Sequence, residues 1–311
     1  MPTTAWPPMA RWSPVVMYLM VVRPRLSTIG RRPLRQNGKG MNLKKTFQVL
    51  GLPAVLGACA DGSIRPPICT LDAPAQWYGF PPALIPLWSD GSRPTYIGYW
   101  KHWFVDREPC FVKMYVASEH MTIEIARTPA QLMGVMAMMS ISDEDGATPE
   151  LEQFAQAVGL DCLEALKAQS LNTGDDPQGF ANVELFSKQT PLESIAEGSG
   201  PYSGDFPNPS ELRPWWESSC SFEIIDRDMP APKGVQLPLW FDPDRDKKLL
   251  FESFLQAGRL DYAWLTLNST GWSITDARQA LVALQTRSND RGFDAVVEYW
   301  LSVADVSAGG Y

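Results

Sequence analysis

Histidine is nearly missing from this chain: His102 and His120 are the only two in 311 residues. That scarcity limits acid–base chemistry, because imidazole is the side chain that ordinarily titrates near neutrality. The five cysteines, Cys59, Cys69, Cys110, Cys162 and Cys220, are scattered, with no C-x-x-C pair. Beside two histidines they offer no closely spaced ligand set for a structural zinc, so no metal is expected. None is locally marked as a nucleophile, and buried free thiols in a reducing compartment are the expectation. No serine stands in a G-x-S-x-G elbow, and neither G-x-x-x-x-G-K-[ST] nor G-x-G-x-x-G occurs. Acyl transfer and nucleotide binding therefore have no motif to rest on, and no cofactor is expected. The apolar run Val15–Val22 is too short to span a bilayer.

What the chain does have is acid and tryptophan. Its formal net charge is −8. Residues 1–40 carry seven basic residues (Arg11, Arg23, Arg25, Arg31, Arg32, Arg35, Lys39) and no acid, so removing them takes the balance from −8 to −15. A body this acidic repels nucleic-acid phosphate and suits a basic protein partner, although acidity also serves plain solubility. Twelve tryptophans occur, four of them between Trp77 and Trp103. Rings this dense build either a core or a binding face that could stack on sugars, and at strand spacing core is the commoner outcome.

The start of the chain is set apart by composition. Residues 1–40 read as a disordered tail or as translation from an upstream start, with Met41 the natural beginning. After Met41 comes a short basic stretch, Asn42–Lys45, then an apolar run from Phe47 to Ala58. Leu56-Gly57-Ala58-Cys59 is similar to a bacterial lipobox. On that alternative Cys59 is lipidated and the protein is a membrane-anchored lipoprotein with a glycan-binding or enzymatic role. Gln48 and Pro53 interrupt the run, so a helix and turn opening a cytoplasmic domain is the main reading.

Pro81, Pro82 and Pro86 mark an extended, turn-rich approach, and Asp90-Gly91 a turn. From Thr95 to Val105 the chain alternates. Tyr96, Gly98, Trp100, His102 and Phe104 fall on one side and Ile97, Tyr99, Lys101 and Trp103 on the other, predicting a strand covered on both faces. Strands follow at Phe111–Val116 and Met121–Ala126, joined by a hairpin over 117–120. Thr128-Pro129-Ala130-Gln131 caps a helix over Pro129–Met139, and Thr148-Pro149 caps another running to about Ser170. Residues 172–239 are Pro/Gly-rich and irregular, apart from a possible strand at Cys220–Ile225. Helices are expected again over Leu249–Ala257, from Ser273-x-x-Asp276 to about Gln285, and over Phe293–Val303 behind Ser288-Asn289-Asp290. The fold class is α+β: a short antiparallel meander backed by helices, with a helical C-terminal region. The divisions expected are 1–40, 41–171, 172–239 and 240–311.

Few residues offer chemistry. His102, among aromatics, reads as structural, and His120 as a solvated loop residue. Asp106, Glu108, Glu119 and Glu124 stand near strand ends, where charges are usually solvated. Asp242, Asp244 and Asp246 begin like a calcium loop, but Lys247 replaces the glycine and Ser253 the bidentate glutamate, so they read as acids before a helix N-terminus.

Tyr78-Gly79-Phe80-Pro81, the turn, the aromatic strand around Gly98-Tyr99-Trp100, the hairpin and the capped helix to Met139 together resemble the SUKH superfamily. That resemblance implies an α+β fold and the role of a bacterial immunity protein, a stoichiometric inhibitor of a cognate toxin. The expectation is a non-catalytic protein-binding protein whose acidic body meets a basic toxin domain. The binding residues expected are Trp88, Asp90, Trp100, His102, Trp103, Asp143, Glu144 and Asp145.

Overall fold

A computed structural model describes residues 39–74, 76–91, 94–105, 108–116, 121–144, 146–173, 183–186, 239–242 and 244–311. All of them lie in the unit Gln36–Tyr311. The chain opens with two helices, α1 (Lys39–Val49) and α2 (Ala54–Ala60). Pro53 stands immediately before α2, where its missing N–H costs nothing. Leu43, Phe47 and Leu56 sink into the core, with at most 1% of their surface exposed.

A four-stranded antiparallel meander follows, in the order β1-β2-β3-β4: Leu84–Asp90, Thr95–Trp100, Cys110–Tyr115 and Met121–Ala126. The α+β class holds. One strand more is present than the sequence reading expected, because the proline-marked approach is itself β1. Pro86 is tolerated there for two reasons: β1 is an edge strand, and its pairing slips at Pro86, with Pro86 opposite Gly98 and Trp88 opposite Ile97. At that bulge the two backbones crowd together. A Cβ on Gly98 would lie 2.5 Å from Ile85 O and 2.9 Å from Pro86 Cα, so only glycine fits.

The second strand is buried from Thr95 to Trp100, as the aromatic residues on both of its sides require. It ends sooner than the alternation suggests. Phe104 adopts a positive φ of 67°, and the chain turns away over 101–105.

The third helix, α3 (Pro129–Asp143), runs four residues beyond the expected end at Met139. Thr128 Oγ1 accepts from Gln131 N at 3.1 Å, and Pro129 occupies the first turn. Gln131 Oε1 does not return to Thr128 but accepts from Arg127 N at 2.8 Å. Gln131 to Met138 are all buried, as suits a central helix that is apolar on every side. The single helix expected from Thr148 to Ser170 is two helices. Gly159, in the left-handed conformation (φ 69°), ends α4 (Pro149–Val158), and α5 (Leu163–Thr173) begins afresh.

The C-terminal helices are α6 (Lys247–Gln256), α7 (Leu260–Leu267), α8 (Ile274–Gln285) and α9 (Arg291–Val303). Asp246, Ser273 and Asp290 cap α6, α8 and α9 through their side chains. The sequence reading missed α7, which has no such signal: Arg259 precedes it and makes no capping bond. These helices and the sheet share one hydrophobic core. Ala83 N donates to Asn268 Oδ1 at 2.7 Å, and Trp300 Nε1 donates to Phe80 O at 3.0 Å. The possible strand at 220–225 lies outside the described residues.

Candidate functional site

The expected aromatic binding residues converge where β2 leaves the sheet and meets α7 and α9. Trp100 ends β2, and its Nε1 donates to His102 Nε2 at 3.1 Å. Trp264, on α7, brings its Nε1 to 3.2 Å from His102 Nδ1; because a neutral imidazole accepts at only one ring nitrogen, the ring takes one indole N–H as a hydrogen bond and the other as a packing contact. His102 is 4% exposed. Both ring nitrogens are thus turned inward onto indoles, and neither reaches solvent to move a proton. The positive φ of Phe104 brings the next rings in. Trp103 lies 5.7 Å from Trp264 and 5.2 Å from Phe293, centroid to centroid, and Phe104 lies 5.3 Å from Phe293. Trp88, on β1, is fully buried. The Nε1 atoms of Trp88 and Trp103 have no hydrogen-bond partner among the described residues. The structure therefore brings Trp100, His102 and Trp103 together and places them, with Trp88, in the core. Their rings join sheet to helices.

The acids lie elsewhere. Asp90 ends β1 opposite Thr95 and is half-buried. Asp143 and Glu144 are exposed at the C-terminal end of α3. Asp145 lies outside the described residues, as do Asp106, Glu119 and His120. Glu124 departs from the solvated role expected of it. Its side chain is fully buried, paired with the buried guanidinium of Arg127 three residues on. Buried charges persist when paired in this way, so the two form a structural pair where β4 gives way to the turn before α3.

Cys59 is buried in α2. Burial, then the nearby Asp61 carboxylate, pushes its thiol up to about 12, which leaves it protonated and unreactive at neutral pH. Cleavage before Cys59 would remove Leu43, Phe47 and Leu56 from the core. Among the described residues no helix is long and apolar enough to cross a membrane.

The acids over 242–246 do serve a helix N-terminus. Asp246 Oδ1 accepts from Leu249 N at 3.0 Å, capping α6. Lys247, where a calcium loop would need glycine, is buried and donates to Trp240 O and Asp242 O, both at 2.7 Å. Between the N-termini of α6 and α8 lies an open groove of about 400 Å³ lined by Asp244, Arg245, Asp246, Lys248, Ser273 and Asp276. Its charges answer one another: Lys248 pairs with Asp276 at 2.8 Å and Arg245 with Asp242 at 3.3 Å. Among the described residues, no group of three or more His, Cys, Asp and Glu side chains could hold a metal ion.

Trp264 and Arg127, which complete the two buried polar arrangements, were missed from sequence. Trp264 stands 162 residues from His102 and carries no local signal. Arg127 sits three residues from Glu124, a spacing whose burial only the fold decides. Comparisons with protein-family models, with curated proteins and with solved structures find no match for this chain.

Proposed function

We propose that this chain is a non-catalytic binding protein that captures a basic protein partner, in the manner of an immunity protein neutralising a cognate toxin. The observation that carries the reading is the exposed pair Asp143 and Glu144 at the end of α3. A helix C-terminus bears partial negative charge, and the last turn of α3 contains no basic residue. Acids placed there oppose the helix dipole by about 0.3–1 kcal/mol each. A cationic partner reverses that sign, gaining from the carboxylates and the helix end together. The charge of −15 on residues 41–311 adds a long-range attraction for such a partner. The buried tryptophans and His102 belong to the core and are not among the contacts of this surface.

The test is association with the protein encoded beside this one, measured from ~50 to ~500 mM salt, a range over which the Debye length shrinks severalfold. The on-rate should fall with salt. The double change Asp143→Lys, Glu144→Lys should lower it by roughly tenfold at low salt while altering the off-rate less. A salt-independent on-rate would remove the electrostatic basis. Lack of association, together with failure of co-expression to protect cells from that neighbour, would remove the immunity reading altogether.

A further inference from the structure

Beyond α9 the chain passes through a short 3-10 turn, Val306–Ala308, and reaches Tyr311. Asp305, Val306, Ser307 and Gly309 are exposed, and Asp305 Oδ1 caps the turn by accepting from Ser307 N at 2.9 Å. Tyr311 is different: only 6% of it is exposed. Its ring stands edge-on to Trp77 and Trp300, with centroids 6.4 and 6.2 Å away. Its hydroxyl donates to Leu267 O at 2.6 Å. Leu267 is the last residue of α7, where carbonyls lack partners within the helix. Neighbouring carbonyls of that helix end are met by nearby side chains: Asn268 Nδ2 donates to Trp264 O, and Trp272 Nε1 to Thr266 O, both at 2.8 Å. Leu267 O receives the phenol instead.

Four backbone bonds hold this segment. Ile274 N donates to Gly309 O at 3.1 Å and Tyr311 N to Trp272 O at 3.2 Å; Gly271 N and Trp272 N donate to Tyr311 O at 2.8 and 3.0 Å. Gly310 passes so close that a Cβ on it would meet Trp272 O at 2.1 Å. The segment is thus an exposed turn, 305–307, followed by a buried ring that four backbone bonds hold in place. Segments at the edge of a fold open locally at less than the free energy of global unfolding.

We propose that residues 305–311 form a latch, and that the slot closed by Tyr311 is a binding site for a para-substituted phenol. Two indole edges give the slot aromatic walls, and the helix-end carbonyl at its base calls for an O–H donor. Toluene fills the walls but leaves Leu267 O without a partner, and a buried acceptor left so costs affinity. Burial pushes the Tyr311 hydroxyl well above its ordinary value, so it remains a donor through neutral and moderately alkaline pH. In the closed state the chain supplies this ligand to itself; in the open state the slot takes a free phenol.

Hydrogen exchange on the full chain tests the latch. The amides of Gly271 and Trp272, which face Tyr311 O, should exchange at least about tenfold faster than those of Leu281 and Leu284 inside α8. Added p-cresol should accelerate them further by competing for the slot. Tyr311→Ala tests the ligand. Saturating p-cresol should raise its melting temperature by about 3 °C or more, and toluene by less than half as much. Equal shifts from the two compounds, or none from either, would overturn the phenol site. Should Tyr311→Ala fail to fold, exchange in the parent decides: protection of Gly271 and Trp272 equal to that of α8 and indifferent to p-cresol would overturn the proposal.

Discussion

Replacing Trp100 tests whether the aromatic strand is core or contact surface. The side chain is fully buried and among the largest that are. Its indole N–H reaches His102 Nε2 at 3.1 Å, so two losses can be separated. Trp100→Phe removes the hydrogen bond and part of the ring, a change of about 1–2 kcal/mol. Trp100→Ala removes the whole ring and leaves a cavity, raising the cost to about 3–5 kcal/mol. A domain of this size loses roughly 2–4 °C of melting temperature per kcal/mol. Phenylalanine should therefore lower the melt by roughly 2–8 °C and alanine by roughly 6–20 °C. Thermal melts by circular dichroism, at matched concentration and pH, read both variants. An alanine variant melting within ~2 °C of the parent, against that scale, would refute the core placement. Loss of partner association in such an undisturbed variant would return Trp100 to the binding surface.

Three further outcomes are expected. A chain beginning at Met41 retains Leu43 and Phe47, both buried, and should melt like the full chain; a large drop would show that residues 1–40 pack onto the body. Gly98→Ala should cost about 1–3 kcal/mol because its Cβ meets the backbone of Ile85 and Pro86. Gly134→Ala meets the flexible end of Leu185 and gains helix propensity of up to about 1 kcal/mol, so the reverse order of melting temperatures would contradict the packing at the bulge. The hydrogen bonds from Lys248 and Ser273 hold the Asp276 carboxyl below its ordinary 3.8. Its stabilising contribution is present above that value and fades as pH falls through the lower folded one. Asp276→Asn should flatten the acid limb of a stability–pH profile, and Ser273→Ala should cost about 1 kcal/mol at neutral pH. An unchanged acid limb in the asparagine variant would refute the linkage.

Local chemistry made much of this fold legible. Thr128, Thr148, Ser273 and Asp290 announce helix starts because a side-chain oxygen beside an apolar period has one economical use there, and each makes its capping bond. Prolines over 81–86 hid β1, since proline ordinarily argues against a strand, and it is the edge position together with the bulge opposite Gly98 that admits Pro86. The α7 helix was invisible for the opposite reason: it is held by packing and by long-range bonds, with no side-chain cap at its N-terminus. The candidate site was the least legible part. Alternation through Trp103 read as one strand covered on both faces; the cover is there from Thr95 to Trp100, but the strand stops at Trp100 and Phe104 turns the chain toward α7 and α9. Glu124 could not be told from a solvated edge acid until the fold laid Arg127 over it.

The bonds that join sheet and C-terminal helices have a consequence for how this protein comes into being. His102 waits for Trp264, 162 residues downstream, and Phe80 waits for Trp300, 220 residues downstream. At ~5–20 residues per second, translation from Trp100 to Trp300 takes roughly 10–40 s. For that interval the aromatic side of a nascent β2 lacks the helices that cover it. Such non-local closure is slow, and uncovered strands invite association between chains. The helices therefore act as a late seal, and the nascent meander is the natural substrate for a chaperone that shields apolar surface. A ribosome-bound chain stalled before Trp264 should bind a hydrophobic-surface dye that the finished protein excludes; a stalled chain that excludes the dye would show that the sheet finds other cover.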